Sequence, residues 1–109
     1  MGHVVIETWT AKPGERDRVL RILEEMTPGN RSEPKMVHFQ AQVSTTEPDT
    51  IVLYEHYTDE SGYEDHRGTE AFQGRVLGEA VHLLAERKVE TFTTVGGEWT
   101  RDDRLHHGR

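Results

Sequence analysis

The stretch EHYTDESGYEDHRGTEAF, residues 55–72, contains a histidine, a glutamate and a tyrosine that could act together in acid–base chemistry. His66 ends a short predicted helix just before Gly68, and an imidazole with an ordinary pKa of about 6.5 can accept a proton at neutral pH. Glu55 and Tyr57 lie upstream on one face of a predicted strand. There the carboxylate could orient the imidazole, and the phenol could donate a hydrogen bond to a substrate oxygen. The stretch therefore predicts a site for proton abstraction if the glycine break turns His66 inward.

Each of these residues also has an ordinary structural interpretation. His66 could hydrogen-bond only a carbonyl group or Glu55, and Glu55 could form a structural pair with His66 or with an arginine. Tyr57, Phe39 and Phe72 could be core residues first, which is compatible with lining a cavity. The sequence leaves both interpretations open.

Hydrophobic periodicity predicts the elements that must position these side chains. The predicted strands are residues 3–10, 36–44, 50–58 and 89–95, and the predicted helices are residues 15–26, 59–67 and 70–87. The sequence TPGN, residues 27–30, is expected to end the first helix. The order β-α-β-β-α-β predicts an α+β ferredoxin-like fold, in which a four-stranded antiparallel sheet carries the helices on one face.

The third predicted strand, TIVLYEHYT, is apolar on both of its faces. Leu53, Glu55 and Tyr57 share one face, and Val52 and Tyr54 share the other. Helices on one side of the sheet leave the second side bare, so a second copy of the chain is the simplest cover. A homodimer that pairs through its sheet faces is therefore expected.

Composition limits the classes of function that remain. The 109 residues predict one domain over residues 1–95 and a polar tail over residues 96–109. A net charge of −7, with no stripe of lysine and arginine, argues against nucleic-acid binding. The chain has no cysteine, which excludes disulfides, thiolate metal sites and a cysteine nucleophile. No signal-peptide pattern or membrane-spanning run is visible, so a cytoplasmic location and no membrane partner are expected.

The segment VLYEHYTDESGYEDHRGTEAFQ, residues 52–73, resembles the signature of the antibiotic biosynthesis monooxygenase (ABM) domain. That signature is Leu-Tyr-Glu-x-Trp, a short acidic linker, and a helix ending in x-His-x-x-(Thr/Ser)-x-x-Phe. WTAKPGERDRVL and SEPKMVHFQ support the resemblance, which covers about residues 3–95. By position, Glu55, His66 and Phe72 match the signature, Tyr57 replaces its tryptophan, and Ala71 stands where many members have a second histidine.

The resemblance implies a dimeric α+β barrel and a cofactor-independent monooxygenase that oxidises a small aromatic, polyphenolic or quinol-like substrate with O₂. Because O₂ is a triplet, it reacts with such a molecule only after the substrate becomes an electron-rich anion. In this interpretation His66 is the base, Glu55 holds its tautomer and Tyr57 donates a hydrogen bond to the substrate. The residues expected to line the substrate pocket are Trp9, Phe39, Leu53 and Phe72. No metal or organic cofactor is expected.

Two other functions remain open. A haem-binding or haem-degrading member would carry an iron-ligating histidine about three turns after His66, where this chain has Val76. A non-catalytic dimeric module that binds a small ligand would have a filled interior or a His66 shut away from any ligand. A metal site built from His38, His56 and Glu55 is disfavoured, because Glu55 points to the opposite side of the strand from His56.

Overall fold

A computed structural model describes residues 1–96, and the predicted tail of residues 96–109 lies outside the described residues except for Gly96. The strands are β1 (His3–Ala11), β2 (Met36–Val43), β3 (Thr50–Tyr57) and β4 (Leu84–Thr93). The α-helices are α1 (Arg16–Ser32) and α2 (Glu60–Arg67), and a π-helical segment (Phe72–Leu77) and a 3₁₀ turn (Ala80–Leu83) follow α2. Within residues 1–96, no helix combines the length and the apolar content that crossing a membrane requires.

The strands form one antiparallel sheet in the order β2-β3-β1-β4, with the helices packed on one of its faces. The prediction of an α+β ferredoxin-like fold is therefore confirmed. On the opposite face, Ile6, Val52 and Tyr54 are only partly covered by the described residues.

The prediction that TPGN ends the first helix was wrong, because α1 continues through Pro28 to Ser32. A proline inside a helix costs about 3 kcal/mol, mainly through a lost hydrogen bond and a clash with the preceding turn. The apolar stripe of α1 nevertheless runs on, since Met26 and Asn30 are both buried against the rest of the protein. We attribute the extra turn to this packing, which intrinsic helix propensity does not predict.

The true end of α1 determines where Glu33 lies. Pro34 disfavours helical backbone in the residue before it. Glu33 is accordingly extended, with φ −62° and ψ 134°, and its amide donates to the carbonyl of Asn30. This carboxylate therefore leaves the helix at the edge of the core.

The helix predicted over residues 70–87 was wrong in its second half. Its apolar stripe is buried, but it is divided between the π-helical segment and the 3₁₀ turn: Phe72, Val76, Ala80 and Leu83. Gly74 and Gly78 weaken regular helix in this region. Leu84 already begins β4, which pairs with β1 from Ala11 to His3. These inter-strand hydrogen bonds satisfy the N–H and C=O groups of residues that were predicted to be helical.

The core lies between the sheet and the helices, and two carboxylates point into it. The inward side chains of β1 and β3 that are no more than 3% exposed are Val5, Glu7, Trp9, Ala11, Ile51, Leu53, Glu55 and Tyr57. A charged group at an inward strand position needs partners, since burying it unpaired is costly. Glu7 and Glu55 are therefore the positions on these two strands where an acidic side chain within the apolar core requires a partner.

Candidate functional site

Glu55 and Tyr57 form a buried hydrogen-bonded pair. The Tyr57 hydroxyl donates to Oε1 of Glu55 over 2.6 Å, and both residues lie on the inward face of β3. The pKa of Glu55 rises from 4.5 to about 7, first because burial penalises its charge and then because the charge of Glu7 repels it. The pKa of Tyr57 is also raised, by burial and then by Glu55, so the phenol keeps its proton and remains the donor.

His66 is held by Glu33 rather than by the expected Glu55. Its Nδ1 lies 2.9 Å from Oε2 and 3.1 Å from Oε1 of Glu33, and the histidine is only 3% exposed. Glu33 itself is 19% exposed, so it is the partner that reaches the protein surface. The geometry thus makes Glu33 the group that connects a buried imidazole with the outside.

Opposing effects act on the imidazole of His66. Burial lowers its pKa, whereas the hydrogen bond to Glu33 and the charges of Glu55, Glu33 and Glu7 raise it. The net result is a pKa above the ordinary 6.5. His66 therefore binds a proton more readily than a free imidazole does, and it lies close to Glu55, whose pKa is raised to about 7.

Glu7 anchors a second part of the buried polar cluster. Its Oε1 accepts hydrogen bonds from Nε1 of Trp9 at 2.8 Å and from Nε of Arg87 at 2.9 Å. Arg87 comes from β4, where it pairs across the sheet with Trp9. The ion pair is nearly buried on the glutamate side and one-quarter exposed on the arginine side. Glu7 thus supplies a fixed negative charge on the same face as Glu55.

Aromatic rings surround the histidine. The His66 ring centroid lies 5.4 Å from that of Phe72 in an edge-to-face arrangement and 6.0 Å from that of Tyr57. Tyr63 of α2 packs 5.8 Å from Tyr57, and the Arg67 guanidinium lies 4.3 Å above the Tyr63 ring. These contacts exclude water from one side of the imidazole and strengthen the electrostatic interactions beside it.

The structure brings Glu55, Tyr57, His66 and Phe72 together, but the four residues expected to line a pocket all lie in the packed core. Trp9 and Phe39 are 1% exposed, Leu53 is 3% and Phe72 is 5%. Of these, Phe72 contacts His66, and Trp9 belongs to the Glu7 side of the cluster. Space for a ligand must therefore be sought beside Glu33.

Two grooves meet at Glu33 and Thr69. One has a volume of about 110 Å³, and its lining is Glu33, Pro34, Lys35, Met36, Gly62, Asp65 and Thr69. The other has a volume of about 280 Å³, and its lining is Glu25, Met26, Gly29, Asn30, Glu33, Thr69, Ala71 and Arg75. The second is large enough for an aromatic ring, since a cavity of about 150 Å³ accepts benzene.

The residues weighed for a metal or haem site do not converge on one point. His38 and His56 are cross-strand partners whose side chains lie on the opposite side of the sheet from Glu55. Val76, at the position where haem-degrading relatives would place their ligand, is buried in the core. Among residues 1–96, no three histidine, aspartate or glutamate side chains are grouped so that they could hold a metal ion.

Sequence reasoning missed Glu7, Glu33 and Arg87. Glu7 had a usable signal, because it occupies an inward position between Val5 and Trp9 in an alternating strand. Glu33 had none, since its proximity to His66 depends on the unexpected last turn of α1. Arg87 was placed in a helix, which hid its pairing with β1.

The sheet, its helices and the buried acid–base cluster define an α+β ferredoxin-like domain with a candidate site between sheet and helices. The chain belongs to the antibiotic biosynthesis monooxygenase family, whose model matches residues 1–75. No curated protein sequence matches the chain.

Solved structures share this fold. A protein from Pseudomonas aeruginosa is similar with a TM-score of 0.81 and 22% identity, over 87% of this chain and 95% of the other. A proposed antibiotic biosynthesis monooxygenase from Nitrosomonas europaea is similar with a TM-score of 0.83 and 20% identity, over 88% and 92%. A protein from Bacteroides thetaiotaomicron described as a possible oxidoreductase gives 0.78 and 20%, over 84% and 95%. At these identities the likeness concerns the fold alone.

Proposed function

We propose that this protein is a cofactor-independent monooxygenase that uses O₂ to oxidise a small phenolic or quinol-like aromatic molecule. The observation that carries the proposal is the hydrogen bond between His66 and Glu33, in which a buried imidazole of raised pKa is connected to a groove through a carboxylate. Family membership supports the same class of reaction.

Proton abstraction is the step that these residues can perform. One proton already lies in the hydrogen bond between Nδ1 of His66 and Glu33, which are 2.9 Å apart. A phenol bound at Glu33 gives its hydroxyl proton to the other carboxylate oxygen, while Nδ1 keeps the shared proton. The imidazolium that results is stabilised by the neighbouring charges of Glu55, once it is ionised, and of Glu7. The Glu33–His66 pair is thus the base, in which Glu33 takes the phenol proton and His66 holds the shared one, and Glu55 with Tyr57 tunes the basicity of the imidazole.

The remaining chemistry belongs to the substrate and O₂. The phenolate gives one electron to O₂, and the aryloxyl and superoxide radicals combine at a ring carbon that bears hydrogen. Glu33 returns the phenol proton to this peroxide. Loss of the ring proton and cleavage of the O–O bond then yield a quinone and water. One oxygen atom enters the product and the other enters water, so the phenol supplies all the electrons and no external reductant is required.

The burial of His66 favours a second candidate, a non-catalytic module that binds a small ligand. With the histidine 3% exposed and the expected pocket residues packed, Glu33 is the member of the pair that lines the groove. If Glu33 takes no proton from a bound ligand, the same groove binds ligands without turnover.

Oxygen uptake with a panel of one-ring and two-ring dihydroxy-aromatic molecules distinguishes the two candidates. We expect His66→Ala to reduce the rate about a hundredfold or more, as is typical on loss of a general base. His82→Ala is the matched control, because His82 is exposed on the 3₁₀ turn. If no compound consumes O₂ faster with the protein than without it, the monooxygenase proposal is wrong.

We also propose that two copies pair through the outer faces of their sheets. The support is the half-buried apolar surface of Ile6, Val52 and Tyr54, beside the 45% exposed Phe92 of β4. A second sheet would bury these side chains at about 25 cal/mol per Å² of apolar surface.

A further inference from the structure

Strand β4 is open on both of its faces and along one edge. It is the last strand in the sheet order, and within residues 1–96 no strand pairs with its far side. Val89, on the face that points towards the helices, is 38% exposed, and Phe92, on the outer face, is 45% exposed. An exposed edge strand with apolar side chains is a template for pairing with another chain.

The opposite edge of the sheet, formed by β2, is protected. The amide of Ser44 donates to the carbonyl of Thr50 at the start of β3. Because the backbone groups of an antiparallel strand point alternately to its two sides, Phe39, at an odd-numbered position, directs its carbonyl away from β3. That carbonyl accepts a hydrogen bond from Nε of Arg31 at 3.1 Å, which hinders the approach of another strand. The two edges of the sheet are therefore not equivalent.

The pairing of β4 with β1 determines which backbone groups point to the open edge. The amide of Thr94 donates to the carbonyl of Gly2 at 3.0 Å. By the same alternation, Arg87, Val89 and Thr91 direct their N–H and C=O groups away from β1. These alternate positions supply donors and acceptors to any strand that approaches the open edge.

The charges of β4 select one register in which two copies of the strand can pair. The symmetry axis must pass through a residue whose backbone groups point to the open edge. If the axis passes through Val89, Lys88 of each copy lies opposite Glu90 of the other on the outer face, and both side chains are exposed. An axis through Arg87 would place two arginines opposite each other, and an axis through Thr91 would leave the lysine and the glutamate without an oppositely charged partner.

We infer that the open edge of β4 is an interface between two copies of this chain, which pair antiparallel about Val89 and join their sheets into one continuous sheet. At the axis, the two valines exchange backbone hydrogen bonds and cover each other's exposed apolar surface. The edge is a different surface from the outer sheet face on which Ile6 lies, so both surfaces can be used at once. The inference does not depend on the proposed oxidation chemistry.

Single-cysteine variants test this pairing, because the native chain has no cysteine. The Cα atoms of a hydrogen-bonded antiparallel pair are about 5.5 Å apart, which is within the range of a disulfide. Val89→Cys should therefore form a covalent dimer under mild oxidation, measured by non-reducing gel electrophoresis. Thr93→Cys is the matched control, since it is exposed on the same face of β4 but would lie about 27 Å from its counterpart in the second copy. We expect it to give at least about tenfold less cross-linked dimer.

Charge reversal tests the register in the Val89→Cys protein. Lys88→Glu places acidic groups opposite each other and should slow cross-linking about tenfold, because two attractive cross-strand pairs become repulsive. Addition of Glu90→Lys restores opposite charges and should restore the rate. The double reversal keeps the net charge and the composition of the Val89→Cys protein, so it controls for both.

Each result bears on the inference directly. Equal cross-linking of Val89→Cys and Thr93→Cys overturns a second copy as the occupant of this edge. A rate that does not recover in the double reversal overturns the register about Val89. Cross-linking of Val89→Cys that persists after addition of Ile6→Lys supports an interface separate from the outer sheet face, whereas its loss overturns the edge as an independent interface.

Discussion

Glu55→Gln provides the sharpest test of the buried cluster, because it removes a titrating charge while keeping an oxygen that can accept from Tyr57. Glu55 is 1% exposed, and its pKa rises from 4.5 to about 7, mainly through burial. When folding raises the pKa of an acid, the resulting stabilisation is fully present at pH values below the pKa of the unfolded chain. It is lost as the pH rises towards the pKa of the folded protein, because the carboxyl group ionises first in the unfolded chain.

The size of the effect follows from those two pKa values. Their difference is about 2.5 pKa units, and each unit corresponds to about 1.4 kcal/mol. The native protein should therefore lose about 3 kcal/mol of unfolding free energy through Glu55 between about pH 4 and about pH 8. A small domain has a total of about 5–15 kcal/mol, so the loss is measurable.

Urea unfolding of the native protein and of Glu55→Gln at both pH values isolates this contribution. Whatever Gln does to packing affects both pH values equally, so the stability of the variant relative to native should rise by about 3 kcal/mol from low to high pH. Glu86→Gln, at an exposed position of β4, is the control and should change stability by less than about 0.5 kcal/mol. A difference between Glu55→Gln and native that stays constant with pH would refute the argument that burial keeps Glu55 protonated.

Three further predictions concern other parts of the molecule. Glu33→Gln should lower the pKa of His66 in an NMR titration of its ring protons, because it removes a charge that raises this pKa; an unchanged pKa would show that Glu33 does not bind the imidazole in solution. Phe39→Ala should reduce the free energy of unfolding by about 3–5 kcal/mol in urea, since Phe39 is 1% exposed, and a loss below about 1 kcal/mol would contradict its place in the core. Ile6→Lys should convert the proposed dimer to a monomer in size-exclusion chromatography with light scattering while the circular dichroism spectrum is retained; a dimer that survives must pair through another surface.

Much of the architecture followed from hydrophobic periodicity. The alternation of Val5, Glu7 and Trp9 in β1 and of Leu53, Glu55 and Tyr57 in β3 assigns inward faces before any coordinates are known. His66 before a glycine was correctly placed at the end of a short helix. These features depend on residues close in sequence, which is why local patterns report them.

The sequence by itself determined the fold class, the family signature and the residues Glu55, Tyr57 and His66 as members of one cluster. Only the tertiary structure decided their partners: Glu33 reaches His66 across 33 positions of the chain. Packing carried α1 past Pro28, and strand pairing began β4 at Leu84. Both outcomes depend on contacts between distant segments, whose energies exceed the local preferences that a sequence displays.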